Sequence, residues 1–499
     1  MESTKKWTSE SLRRCFLRSN LLAIVTVGAV LVGGTVGVVL KSHFTLSSVA
    51  KTYMDFPGEI LTKFLLLVSS LVVTSVITEV STARVSPSRK ITSRALTYFV
   101  ITTALALFSG VLFVKLLKPG VIDRPEVDND EDEELACSTA DLVMDFIRNL
   151  YPHNLVQATF QHYKTQAVLV RVEGDGVNSS LEEEAVHVRK VGRNVSGPNA
   201  LGQITLAFLF GLGLRKFRNT GKQLKEIIVA VNMVIKLLVE LIIVVYLPFG
   251  LVFMMARYAY EVPDEAEVVL ALVKFVAVVV CGLTLHGLVL PLIYVLCVRR
   301  NPAPVIKGVS PALLKALLIS RTSASTEASR CCESILSMDR RITRFMLPIG
   351  SGCCMNGKAL YQIAAAVFIA QLSRVSLDWS QLITLGLTVA AVTVGVVGIP
   401  ATGSVTTFLI LTITGIPLEA ASILPAVEWL LDRLGAFVNV LGDSIGVALV
   451  QHLSEEELKH MGAQELLPDS GEAAEQPEPD PSQQDPDVIN LVIPKDHFL

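Results

Sequence analysis

Glu428-Trp429-Leu430-Leu431-Asp432-Arg433-Leu434-Gly435-Ala436-Phe437-Val438-Asn439-Val440-Leu441-Gly442-Asp443 lies inside an apolar stretch, 425–450, long enough to cross a bilayer. About 20 residues of helix span a hydrocarbon core of roughly 30 Å. A carboxylate near the centre of such a helix costs about 2.5–3.5 kcal/mol on insertion scales, so Asp432 and Asp443 are functional candidates by default. Asp432, Asn439 and Asp443 recur at i, i+7 and i+11 and share one helical face, with Gly435 and Ala436 beside it. Such a face suits an ammonium group and a hard cation, which takes oxygen from carboxylate, amide and carbonyl groups. The alternative for the same residues is a structural ion pair with a basic residue on a neighbouring helix.

Outward from this helix, the chain has the composition of a membrane protein. Of its 499 residues, 51% are hydrophobic and 18% charged, against about 25% charged in soluble domains, and mean hydropathy is +0.53. Spans are expected at about 20–40, 59–80, 95–117, 200–214, 226–255 and 268–297. The first reads as a span rather than a removable signal peptide, since about twenty polar residues precede it and no small-residue cleavage site follows. The net charge of −3 is segregated and gives no reason to expect nucleic acid. Lys5, Lys6, Arg13, Arg14 and Arg18 precede the first span, and Arg84, Arg89, Lys90 and Arg94 follow the second. The positive-inside rule puts both in the cytoplasm, residues 1–19 included, and so places 118–199 outside. That segment carries an acidic run from Glu126 to Glu134 and two glycosylation sequons, at Asn178 and Asn194, which agree with an outer location.

Beyond Arg300 the simple pattern fails. The stretch 309–336 is only moderately apolar, rich in Ser, and holds Lys315, Arg321 and Glu327. Lipid cannot satisfy such groups, so the segment must be buried in protein or line a watery cavity, as a re-entrant hairpin does. A second hairpin is expected over 382–424, with its tip at Gly398-Ile399-Pro400-Ala401-Thr402-Gly403, where Gly and Pro end helical hydrogen bonding. Between the two, a helix is expected to be interrupted at Gly350-Ser351-Gly352. Broken helices beside re-entrant elements are how secondary transporters build sites at the membrane midplane. The tail from Gly471 is polar and Pro-rich, with the composition of a disordered cytoplasmic segment. Eight cysteines include the adjacent pairs Cys331-Cys332 and Cys353-Cys354, a spacing that suits apolar packing rather than metal ligation. No nucleophile–base set, metal cluster or phosphate loop is present, so an enzyme is not expected.

The run Glu428 to Ser454 resembles the last span of the excitatory amino acid transporters. So do Phe56-Pro57-Gly58-Glu59-Ile60-Leu61, Asn154-Leu155-Val156-Gln157-Ala158, Arg341-Ile342-Thr343-Arg344-Phe345, Phe368-Ile369-Ala370-Gln371 and Gly398-Ile399-Pro400, in the family's order. The resemblance implies an all-α polytopic membrane protein with eight transmembrane helices, two re-entrant hairpins and a homotrimeric assembly. Spans 1, 2, 4 and 5 would form a scaffold, and span 3 with 261–452 an elevator-type transport domain. It further implies that Asp432 binds the substrate's amino group and that Asn439 serves both substrate and sodium. Thr322 and Ser323 would represent the first hairpin tip, with Gly398, Ile399, Pro400 and Gly403 for the second. Sodium would be held by Gly350, Gly352, Cys354, Met355, Asn439 and Asp443, with Phe99, Thr102, Thr103 and Asn356 at a further, altered position.

The departures shape the functional expectation. Where acidic amino acid carriers of this kind place a substrate-binding arginine, this chain has Gly435, and a second carboxylate on the substrate would enter unpaired. The position of their proton-carrying glutamate is Gln362, which cannot titrate. Both changes resemble the neutral amino acid exchangers of the family. The family's Asn-Met-Asp-Gly-Thr motif reads Cys354-Met355-Asn356-Gly357-Lys358, and a tyrosine of the altered sodium position reads Phe99. Lys358, counted among the substrate-site residues, would supply fixed positive charge where sodium sits, with Asp432, Asp443 or Glu327 as its partner. The expectation is a plasma-membrane amino acid carrier or exchanger that favours neutral substrates and has reduced sodium coupling. The alternative is a transport-inactive relative conducting anions such as chloride or serving as a subunit. Lipid surrounds it in either case, and Asp496-His497-Phe498-Leu499 offers a terminus for a carboxylate-capturing protein.

Overall fold

The computed structural model describes residues 9–82, 88–121, 139–152, 154, 156–171, 186–197, 199–217, 221–262, 265–318, 321–375, 377–395 and 402–466. Gly398, Ile399 and Pro400, the sequon at Asn178, the Glu126 to Glu134 run and the tail beyond 466 lie outside these residues. Residues 1–453 form one compact unit, and 454–499 a second that contains the helix Glu455–Leu466.

The chain opens with α1 (Ser9–His43), α2 (Ser48–Thr82) and α3 (Arg89–Leu117). Ser88 starts α3 from an extended backbone, its side chain accepting from the Lys90 N–H. Lys118 ends it in the left-handed region at φ 41°, where its own N–H closes onto the Val114 carbonyl. The segment that follows departs from the all-α expectation. After α4 (Thr139–Leu150), β1 (Gln161–Arg171) and β2 (Val186–Ser196) pair antiparallel, from Gln161 opposite Ser196 to Arg171 opposite Val186. Valine recurs in both runs and favours this pleated pairing. Helix α4 holds the ribbon through Asp145, which accepts from the Thr165 N–H at 2.6 Å and its Oγ1 at 2.8 Å. The sequon residue Asn194 is exposed on β2.

There follow α5 (Ala200–Lys216), α6 (Lys222–Glu261), α7 (Glu265–Val298), α8 (Ala303–Leu318), α9 (Arg321–Arg330), α10 (Arg340–Cys353), α11 (Asn356–Leu372), α12 (Trp379–Gly395), α13 (Thr402–Thr414) and α14 (Pro425–Leu453). Among the described residues, five helical stretches are long and apolar enough to cross a membrane, and the two arms of α6, bent by 44°, make a sixth. One of the five combines α10 and α11. Helix α6 packs on α1 and α2, and α2 on α5. A Cβ at Gly33 of α1 would come within 2.9 Å of the Met255 Cβ, so these two helices touch backbone to side chain. A second group joins α3, α7, α8, α10 and α11 around α14. The most apolar window of α14 is 83% buried and that of α10–α11 94%, against 28% for α1 and for α3, which places the core at α10, α11 and α14. Helices α12 and α13 pack against each other and touch α11 on one side and α2 on the other.

The break between α10 and α11 does not fall at Gly350-Ser351-Gly352, as expected. Helix α10 runs on to Cys353, and the backbone leaves helical geometry at Cys354 (ψ 74°) and Met355 (ψ 74°). Gly350 serves a close approach by α14 instead.

Candidate functional site

The polar face of α14 meets the start of α11. Asn439 is 4% exposed, and its Oδ1 accepts the Gly357 N–H at 2.7 Å. The first N–H groups of a helix have no partner within it, so Asn439 satisfies one from across the interface. Gly357 makes this possible, because a Cβ there would lie 2.6 Å from the Gly435 carbonyl oxygen. A Cβ at Gly435 would meet Gly357 only at 3.5 Å, an ordinary contact. Asp432 is exposed on the same helix. The expected trio therefore divides into one accessible carboxylate and two buried groups, the second being Asp443 at 7% exposure.

Around Asp443 the chain assembles oxygen. Its carboxylate fills the space where Gly350 lacks a side chain, and a Cβ there would overlap it. Next to it, the Gly442 carbonyl accepts from the Tyr98 hydroxyl at 2.7 Å. Thr103 Oγ1 donates to Asn356 Oδ1 at 2.9 Å. Gly352 and Met355 are buried and Cys354 is half-buried. Of the altered position, Thr103 and Asn356 are thus brought together. Thr102 is not, since its hydroxyl is directed at the Tyr98 and Phe99 carbonyls of its own helix. Phe99 is buried edge-on to the Tyr98 ring and brings no side-chain oxygen. Sequence reasoning missed Tyr98, and the signal was available: it precedes Phe99 and is the tyrosine that reaches α14.

The helix pairs α8–α9 and α12–α13, where hairpins were expected, pack against α14 and α11. Gln362, fully buried on α11, accepts from Thr393 Oγ1 of α12 at 3.0 Å and donates through Nε2 to Thr406 Oγ1 of α13. One neutral amide therefore ties both limbs of the second hairpin to α11. Gly403 lies buried in the first turn of α13, and the Glu428 carboxylate of α14 fills its missing side-chain space, a second role the sequence did not disclose. Tyr361, one residue before Gln362, is buried with a hydroxyl that finds no hydrogen-bond partner, and the charges of Glu428 and Asp432 bear on it. In the first hairpin, Thr322 and Ser323 lie in the first turn of α9, and Glu327 forms an ion pair with Lys315 of α8. Glu327, one of the three partners expected for Lys358, is thus engaged by Lys315. Lys358 is 9% exposed in the first turn of α11.

Comparison with known proteins converges on one family. Residues 22–453 match the model of the sodium:dicarboxylate symporter family. Excitatory amino acid transporter 3 of Mus musculus is 39% identical over 463 residues, covering 90% of this chain and 88% of its own length. Excitatory amino acid transporter 4 of Mus musculus is 37% identical over 500 residues, covering 93% and 88%. Excitatory amino acid transporter 1 of Ambystoma tigrinum is 35% identical over 468 residues, covering 89% and 85%.

Proposed function

Because the chain belongs to the sodium:dicarboxylate symporter family, and is a multi-pass membrane transporter rather than an enzyme, we propose that it carries or exchanges small neutral amino acids across the plasma membrane. Asp432 takes the substrate's ammonium group, and Asn439 fixes the backbone against which the substrate lies. The single observation that carries the preference for neutral substrates is Gly435. It is buried one turn beyond Asp432, so residue 435 brings no guanidinium to a side-chain carboxylate. A carboxylate desolvated without a charge-assisted partner costs several kcal/mol, which is enough to exclude acidic substrates.

The fuller reading has eight spans, two re-entrant hairpins and a homotrimer. In it α1, α2, α5 and α6 are the scaffold, while the helices around α14 move as a carrier. The packing of α6 on α1 and α2, more extensive than the contact of α1 with α14, supports the division. Exposed Asn194 supports a glycosylated outer ribbon. Uptake and heteroexchange of labelled alanine, serine and glutamate, with and without sodium and alongside chloride current, test the proposal. Alanine or serine flux exceeding glutamate flux is the expected result. A chloride current independent of substrate, with no amino acid flux, would replace it with the anion-channel reading.

A further inference from the structure

Tyr361 is 5% exposed, and its hydroxyl has no hydrogen-bond partner among the described residues. Gln362 beside it bonds to both α12 and α13. A buried hydroxyl left unpaired costs stability, so its retention calls for a reason. The ring has one of its own, packing against Phe275 of α7 with centroids 6.2 Å apart. Phenylalanine would serve that packing equally well, which leaves the oxygen to be explained.

Its surroundings supply the explanation. Helices α11 and α14 pass each other in opposite sense. Asn356 approaches Gly442, and Gly357 touches Gly435 while donating to Asn439. Tyr361, one turn further along α11, comes under the charges of Glu428 and Asp432, two turns and one turn before Gly435 on α14. The Glu428 carboxylate also fills the side-chain space of Gly403, so the first turn of α13 borders the same place. Two carboxylates favour a cation there, and a phenol oxygen beside them can accept as well as donate. A primary ammonium group has three N–H donors to offer.

We propose that Tyr361 and Glu428 complete the ammonium site begun at Asp432, each of the three oxygens accepting one N–H of the substrate's primary amino group. Tyr361 is then a specificity residue that selects primary over N-methylated amines. It is indifferent to the substrate's side chain, which lies on the Gly435 side of Asp432. This rests on the reading of Asp432 as the amino-group ligand of an amino acid carrier, but the part played by the phenol is separately measurable.

The test compares wild type and Tyr361→Phe as full-length protein in lipid nanodiscs, with sodium fixed. Thermal unfolding is followed against alanine, serine and N-methylalanine, and against methylammonium and trimethylammonium chlorides with choline chloride holding total chloride constant. Binding and stability should change in opposite directions. Without ligand, Tyr361→Phe should unfold at the same or a higher temperature, since it removes only an unpaired hydroxyl. It should bind alanine and serine about tenfold more weakly, and by the same factor, since a hydrogen bond to a charged group is worth at least that. Wild type should prefer alanine to N-methylalanine, and the variant should largely lose that preference. Equal alanine affinity in the two proteins would overturn the inference, as would an undiminished preference over N-methylalanine. A variant less stable without ligand would make the hydroxyl structural and overturn it too. Tyr361-dependent stabilisation by methylammonium over trimethylammonium, with no effect of any amino acid, would keep the ammonium site and discard the carrier reading. Wild type unaffected by every amine and amino acid would discard both.

Discussion

In the proposed carrier Gly435 sets the charge that the site can accept, and its geometry makes the opposite choice testable. A side chain at this position starts in ordinary contact with Gly357, 3.5 Å away, so its first carbon fits without moving either helix. Gly435→Arg should therefore fold and bring a guanidinium one turn from Asp432. A hydrogen bond to a charged group is worth about 1.5–3 kcal/mol, so the glutamate-to-alanine uptake ratio should rise by about ten- to a hundredfold. Competition uptake reads this directly, and an unchanged ratio would mean that residue 435 does not face the substrate. At this scale the sequence was informative about charge and uninformative about touch. It located Asp432, Asn439 and Asp443, because carboxylates and amides in an apolar helix stand out. That Asn439 holds Gly357, a residue 82 positions away, depends on non-local packing that no periodicity encodes.

Among elements, the second hairpin and the start of α10 each hang on one polar side chain. Gln362→Leu would remove the cross-helix hydrogen bonds to Thr393 and Thr406, whose hydroxyls also reach the Val389 and Gly403 carbonyls of their own helices. Losing the cross-helix pair should cost about 1–3 kcal/mol, confined to the hairpin. Amide hydrogen exchange should quicken across 393–406 and stay unchanged in α14, and equal acceleration in both would show that the amide serves global stability instead. At the start of α10, Asp339 caps the helix and accepts from Arg341, whose hydrogen-bonded guanidinium holds the carboxyl below its usual range against the opposing effect of burial. A depressed carboxylate stabilises above its unfolded value and loses that contribution as pH falls through the folded one. Exchange protection of the first turn of α10 should thus decline as pH drops below about 4. In Asp339→Asn, which keeps a capping oxygen but has no charge, it should be flat, and a matching decline in both would assign the effect elsewhere. The spans in α1, α3, α7 and α14 were legible because length and hydropathy suffice to define them. The ribbon β1–β2 was not, since it lies in a segment read only as a polar outer loop. The α10–α11 break was misplaced because Gly350 reads as a helix breaker, whereas it makes room for Asp443.

In the whole molecule, the question is whether the two helix groups move against each other, and the structure offers a point at which to stop them. The 3₁₀ turn Glu419–Ile423, which leads into α14, packs on α6, with Ser422 Oγ 3.9 Å from Met255 Sδ. Met255 is in turn the residue that α1 approaches through Gly33, so it belongs to the group of α1, α2 and α6. A bond across this contact would tether the group around α14 to α6 while leaving the polar face of α14 and the second hairpin free. In a Met255→Cys/Ser422→Cys pair, oxidation should stop amino acid uptake almost completely, and reduction should restore it. Each single variant should transport through the same treatment, which separates the tether from oxidation of the native thiols. Substrate-dependent thermal stabilisation should survive in the oxidised pair, because binding needs only Asp432, Asn439 and the hairpin and not their displacement. Uptake that persists once electrophoretic mobility shows the bridge complete would mean that substrate crosses with α6 and α14 fixed in place. Transport would then rest on opening of the hairpins alone.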